Sequence, residues 1–146
     1  MFLKFKKAKI SDLGTVLDIE KSAANNYTYS PILEEQEIKE YIEDENVYLI
    51  YLEDKIVGSI SYKEKDKDHA HIGGLVVYLE YRGQGIATEA IKWILNELKD
   101  YKKVSLVTHP DNTIALKIYE KAGFKRGRVI DNYFGDGQSR VELVKI

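Results

Sequence analysis

An apolar run from Ile72 to Leu79 leads into Tyr81-Arg82-Gly83-Gln84-Gly85-Ile86-Ala87-Thr88, and a helical pattern from Ile86 to Leu98 leaves it. A strand, a tight glycine turn and a helix start must therefore follow one another in the middle of the chain. Gly83 and Gly85 lack Cβ, so the backbone there can turn sharply and approach a ligand closely. The first amides of the new helix have no partner inside it and carry the positive end of its dipole. This arrangement is an anion cradle whose usual guest is phosphate. The same glycines are also compatible with a plain strand-to-helix connection. A P-loop is excluded, because it needs Gly-Lys-Ser/Thr where this chain has Gly85-Ile86-Ala87. A dinucleotide fingerprint is excluded as well. Thr88 stands at the third glycine's place, and a long mixed segment takes the place of an opening βαβ unit.

The 146 residues suffice for one domain over 1–146 with a proper core. A net charge of −2 lacks the basic excess of a general nucleic-acid binder. The absence of cysteine excludes a disulfide framework, a thiolate metal site and a cysteine nucleophile. The start of the chain alternates apolar and basic residues instead of forming a signal-peptide core, and no apolar run reaches membrane-spanning length. The expectation is a soluble, cytoplasmic protein with no metal, nucleic-acid or membrane partner, as a monomer or homodimer.

Periodicity gives the order of elements. Phe2 to Ala8 alternates as a strand. Ser11 and Asp12 offer an N-cap to a helix reaching Ala24, and Leu33 to Glu45 is a second helix with Ile38, Tyr41 and Ile42 on one face. Val47–Leu52 and Ile56–Lys63 form a hairpin with a bulge or close approach at Gly58, and Lys63 to Asp68 is a charged turn. A strand from His69 enters the glycine turn. The long helix that follows buries Ile86, Ala90, Ile91, Ile94, Leu95 and Leu98. Lys103–Thr108 is a strand, Thr113–Ala122 a helix closed by Gly123, and Phe124–Tyr133 and Arg140–Ile146 the last two strands. The order β-α-α-β-β-β-α-β-α-β-β gives an α/β (α+β) fold, with a mixed, mostly antiparallel sheet of about seven strands flanked by about four helices.

Two motifs at this separation resemble the GNAT superfamily of acyl-CoA-dependent N-acetyltransferases. One is Arg82-Gly83-Gln84-Gly85-Ile86-Ala87. The other runs from Asn112 through a helix bearing Tyr119 to Gly123-Phe124. Leu79 stands where the family commonly has a proline.

The resemblance implies direct attack of a deprotonated amine on the acetyl-CoA thioester within a ternary complex. The amides of Gly83, Gln84, Gly85, Ile86, Ala87 and Thr88, with Arg82 beside them, would hold the pyrophosphate. The edge of Leu75-Val76-Val77 would pair with the pantetheine arm, and an amide near Val77 would stabilise the oxyanion. Asn112 would bond the cofactor arm and cap its own helix, and Tyr119 would protonate the departing thiolate. His71, on one strand face with His69, is the candidate base, with a water chain as the alternative. His109 is a weaker candidate.

The acceptor site would lie between the first two helices and the final hairpin, near Tyr27 and Tyr29 on one side and Asp131, Tyr133 and Asp136 on the other. Seven acids and one lysine fall between Glu34 and Glu45, either as a solvated face or as a negative lip. With the lip, a basic or polycationic acceptor is expected, either a small-molecule amine or a peptide or protein N-terminus. Two competing readings are a non-catalytic CoA-binding sensor on the same fold and a nucleotide-binding protein that uses the glycine turn.

Overall fold

The computed structural model describes residues 2–146. Its elements follow the expected order: β1 (Leu3–Lys7), α1 (Leu13–Lys21), α2 (Glu35–Asp44), β2 (Asn46–Leu52), β3 (Lys55–Asp66), β4 (His69–Val77), α3 (Ile86–Glu97), β5 (Lys103–Thr108), α4 (Thr113–Lys121), β6 (Lys125–Ile130) and β7 (Arg140–Lys145). The strands form one seven-stranded sheet in the order β1-β2-β3-β4-β5-β7-β6. Every neighbouring pair is antiparallel except β4 and β5.

Helices cover both faces. Ile86, Ala90, Ile91, Ile94 and Leu98 of the α3 segment pack with Leu116 of α4 against Ile50, Val57, Ile60, Ala70 and Leu106. Each isoleucine or leucine fully buried there contributes roughly 1.5–3 kcal/mol of transfer free energy. Val16, Leu17 and Ile19 of α1 pack with Ile38, Tyr41 and Ile42 of α2 on the opposite face, against Val47, Leu49 and Val76. Strand alternation sends Leu49 to one core and Ile50 to the other.

Some boundaries differ from the periodic reading for local reasons. A 3-10 turn over Ile10–Asp12 leads straight into α1. Asp12 therefore accepts from the Lys9 amide at 2.9 Å instead of capping α1. The end of α1 tightens to three-residue bonds, Ala23 N to Glu20 O and Ala24 N to Lys21 O, both 3.1 Å. Most of the expected charged turn at 63–68 is strand, because β3 stays paired with β4 out to Asp66 opposite His69. β6 stops at Ile130, and Asp131 and Tyr133 fall in the turn beyond it.

Gly58 serves as both a bulge neighbour and a close approach. The β2–β3 register shifts at Ile50/Tyr51, and a Cβ on Gly58 would lie 2.1 Å from the Val76 carbonyl oxygen. A second bulge was not legible in the sequence. Ser61 faces Gly74 and Tyr62 faces Ile72, which leaves Gly73 as the extra residue in β4. A bulge bends its strand and raises the local twist. Beyond it, β4 parts from β5. Their ladder ends at His71 opposite Ser105, although β4 runs on to Val77 and β5 to Thr108.

Candidate active site

The split in the sheet leaves one edge of β4 bare. On its other side, Leu75, Val76 and Val77 pair with Ile60, Ser59 and Gly58 of β3. The Tyr78 amide bonds the Val57 carbonyl at 2.9 Å. Amides alternate in direction along a strand, so that of Val77 points away from β3, into the gap. Arg82 Nε donates to the Val77 carbonyl at 2.9 Å, which fastens the glycine turn to the end of β4. Gly83 and Gly85 have φ of +79° and +85°, a region that favours glycine. A Cβ at Gly83 would meet nothing within 4 Å, so the turn's outer surface is open. The first bond of α3 runs from Glu89 N to Gly85 O at 3.1 Å, which leaves the amides of Ile86, Ala87 and Thr88 without helical partners.

A cavity of about 510 Å³ fills the gap. Of the residues expected to hold the cofactor, Leu75, Val76, Val77, Arg82, Gly83, Gly85, Ile86, Ala87, Thr88, Asn112 and Tyr119 line it, and Gln84 does not. A second, smaller cavity of about 90 Å³ adjoins it, with Gly73, Gly74, Thr108, Phe134 and Arg140 in its wall. Thr28, Tyr29, Leu75, Asn112 and Tyr119 line both and so mark where the two meet.

The side chains at that junction are fixed by their own elements. Asn112 is the N-cap of α4, and its Oδ1 accepts the Ala115 amide at 3.2 Å. Its side-chain N–H groups are thereby left free as donors. Tyr119 lies two turns further along α4, with its ring 6.2 Å from that of Phe124. Burial alone raises the Tyr119 pKa to about 12, so the phenol stays protonated at neutral pH. The Tyr29 hydroxyl donates to Glu20 at 2.8 Å, and Glu20 also accepts the Ile32 amide at 3.0 Å. Glu20 is 2% exposed. Burial raises its pKa, opposed by the bonds from Ile32 and Tyr29. Burial and then the Glu20 charge push the Tyr29 pKa well up. Sequence reading missed Glu20, although a signal was there: Val16, Leu17, Ile19 and Glu20 are the buried residues of α1, a carboxylate at a core position.

Several expected residues lie elsewhere. Neither cavity is lined by His71, Tyr27, Asp131 or Tyr133, nor by any acid between Glu34 and Glu45. His71 Nδ1 and His69 Nε2 both bond Ser105 Oγ, at 2.8 and 2.7 Å. Burial, with Lys65 adding to it, lowers the His71 pKa to about 4, so the ring is neutral and weakly basic. Tyr27 is 61% exposed and donates to Asp111 at 2.9 Å. Asp131 accepts from Ser139 Oγ at 2.9 Å, and the Tyr133 ring stacks edge-on against Phe134 at 4.7 Å. His109 is buried at 4% exposure. Its Nδ1 accepts the Asp111 amide at 3.0 Å, so its proton sits on Nε2, 2.8 Å from Gln138 Oε1. It thus ties the end of β5 to the loop before β7. Among the described residues no cluster of metal-ligating side chains occurs, and no helix is long and apolar enough to cross a membrane.

Comparison with known proteins agrees with this fold. The model of the Acetyltransferase (GNAT) family matches residues 16–124. An N-alpha-acetyltransferase of Sulfurisphaera tokodaii is 24% identical over 150 residues, covering 92% of this chain and 87% of that protein. The UPF0157 protein YqkA of Bacillus subtilis is 32% identical over 76 residues, which cover 52% of this chain but only 22% of that longer protein. A GNAT family acetyltransferase from Elizabethkingia anophelis, solved with acetyl-CoA bound, superposes with a TM-score of 0.76 at 19% identity, covering 98% of this chain and 97% of that one.

Proposed function

The chain belongs to the GNAT acetyltransferase family, and from that premise we propose that it transfers an acetyl group from acetyl-CoA to a primary amine by direct attack in a ternary complex. The observation that carries this reading is the meeting of two cavities at Tyr29, Asn112 and Tyr119, beside the unpaired edge of β4. An extended arm fits a bare strand edge, and a pyrophosphate fits an open glycine turn backed by free helix amides. Leu75 to Val77 and Asn112 would hold the arm, and Arg82 to Thr88 the phosphates. Acetyl-CoA supplies the activated acetyl thioester.

The chain's own groups would do the rest. The Val77 amide faces the gap and would stabilise charge on the carbonyl oxygen. Tyr119 would give its proton to the leaving sulfur. A free thiol's pKa is about 8.5, well below that of the buried phenol, but the same burial raises the pKa of a thiolate placed there, so the two rise together. For the amine's proton, we assign the pair Tyr29 and Glu20 instead of His71. Tyr29 lines both cavities with a buried carboxylate behind its hydroxyl, whereas His71 lines neither. The proton would pass to the Tyr29 oxygen as the Tyr29 proton moves to Glu20. An amine panel with a free-thiol readout and detection of acetylated product tests the reading. Turnover with at least one amine is expected. Acetyl-CoA binding with no thiol release for any amine would leave a sensor on this fold.

A further inference from the structure

Arg140 is the one charged side chain among the described residues that line the smaller cavity. Arg140 opens β7, lines this cavity and is 2% exposed. A guanidinium carries five N–H donors. Among the described residues the Arg140 side chain makes one hydrogen bond, from its NH1 nitrogen to the Ser139 carbonyl at 3.1 Å. Its NH2 nitrogen is buried and makes none. The nearest carboxylate, Asp136 Oδ2, stands 3.5 Å from NH2, an ion pair without a hydrogen bond. The Phe134 ring lies 5.1 Å from the guanidinium carbon and closes another side.

A buried donor without an acceptor is destabilising, and more so when it is charged. Such a group persists where a ligand completes it. A planar guanidinium matches a carboxylate in geometry and charge, and can bind it through two parallel hydrogen bonds. Tyr29, bonded to the buried carboxylate of Glu20, lines the same cavity. The lining thus offers both a cation and a hydroxyl backed by an anion, in a space of about 90 Å³. That pattern suits a small molecule carrying both an amine and a carboxylate.

We propose that the acceptor is a free amino acid whose carboxylate is bound by Arg140 while its amine faces the junction at Tyr29 and Tyr119. This rests on the reading of the chain as an acetyl-CoA-dependent transferase. It departs from the cationic acceptor expected from the acidic residues 34–45, none of which lines the cavity.

The test compares, for several side chains, the amino acid, its amide, its decarboxylated amine and a short peptide beginning with the same residue, each with acetyl-CoA and a thiol readout. The free amino acid of the best series should exceed the other three by about 10²-fold or more in kcat/KM, as sites built to pair a polar group reject analogues that lack it. Arg140→Gln should erase that preference and raise KM for the amino acid, with acetyl-CoA affinity by calorimetry unchanged. If Arg140→Gln fails to fold, the comparison on the unaltered chain still decides. Equal or faster turnover of the amide, the decarboxylated amine or the peptide overturns the inference and leaves the transferase reading intact. Thiol release with none of the compounds overturns the inference, and the wider amine panel then decides the transferase reading.

Discussion

Burial acts on both Tyr119 and Glu20, and their proposed roles make opposite demands on it. For Tyr119, burial keeps the proton on the phenol at neutral pH, as the proposed role of acid to the leaving thiolate requires. Tyr119→Phe retains the ring and its packing on Phe124. General-acid groups typically contribute about 10²–10⁴-fold, so kcat should fall by that order while acetyl-CoA affinity stays the same. An unchanged kcat in single-turnover measurements would remove Tyr119 from the role. For Glu20, burial raises the folded-state pKa above the ordinary 4.5. The folded state then holds the proton more tightly than the unfolded state. The stabilising contribution is complete below about pH 4.5 and is lost as pH rises through the folded value, so the ionised carboxylate costs stability at neutral pH. Glu20→Gln should therefore be at least as stable as the parent near neutrality, with the gain shrinking toward acid in thermal unfolding. Its kcat/KM should fall most at low pH and recover as the free amine becomes abundant in solution. A uniform loss at every pH would assign Glu20 to packing alone.

At the scale of elements, the proposed phosphate cradle is the β4–turn–α3 unit, and Gly85 is its pivot. Gly85 is the N-cap of α3 at φ +85° and ψ 8°. A β-branched residue there is strained in its backbone and places atoms where phosphate would approach. Gly85→Val should lose acetyl-CoA binding by calorimetry while circular dichroism still reports a folded chain. Normal binding would move the cradle elsewhere. This unit was legible in the sequence because every part of its signal is local: an apolar run, two glycines and a periodic helix. The cap at Asn112 and the turn at Gly123, with φ +103°, were legible for the same reason. What the sequence withheld depends on contacts between distant segments. The bulge at Gly73 exists only in register with β3, and the placing of β7 between β5 and β6 exists only in the sheet. The catalytic-side candidates suffered most. Of the acceptor-side residues expected, Tyr29 lines the cavity wall, whereas Tyr27, Asp131 and Tyr133 lie in loops outside it and Phe134 and Arg140 line it instead, because one or two residues of loop decide which side chain turns inward. His71 looked suitable by residue type alone, and Ser105 holds it away from both cavities.

For the whole molecule, the proposed function rests on the split sheet. β1 to β4 make one wing and β5 to β7 the other, joined by the three parallel pairs from His69–Lys103 to His71–Ser105. The core beneath α3 and α4 runs from Ile50, Ile60 and Ala70 in one wing to Val104, Leu106, Val141 and Leu143 in the other and holds the two together, so the gap is a standing feature of the fold that a ligand need not open. The donor would enter from the side of the glycine turn and the acceptor from the side of Phe134 and Arg140, and the two would meet at Asn112 and Tyr119. The most direct measurement of this account follows an isotope-labelled acetyl group from acetyl-CoA by mass spectrometry, with free thiol counted in the same reaction. The account predicts one labelled N-acetyl product for each thiol released. Thiol released with the label appearing only in free acetate, or label transferred to the protein itself before any amine is added, would contradict it.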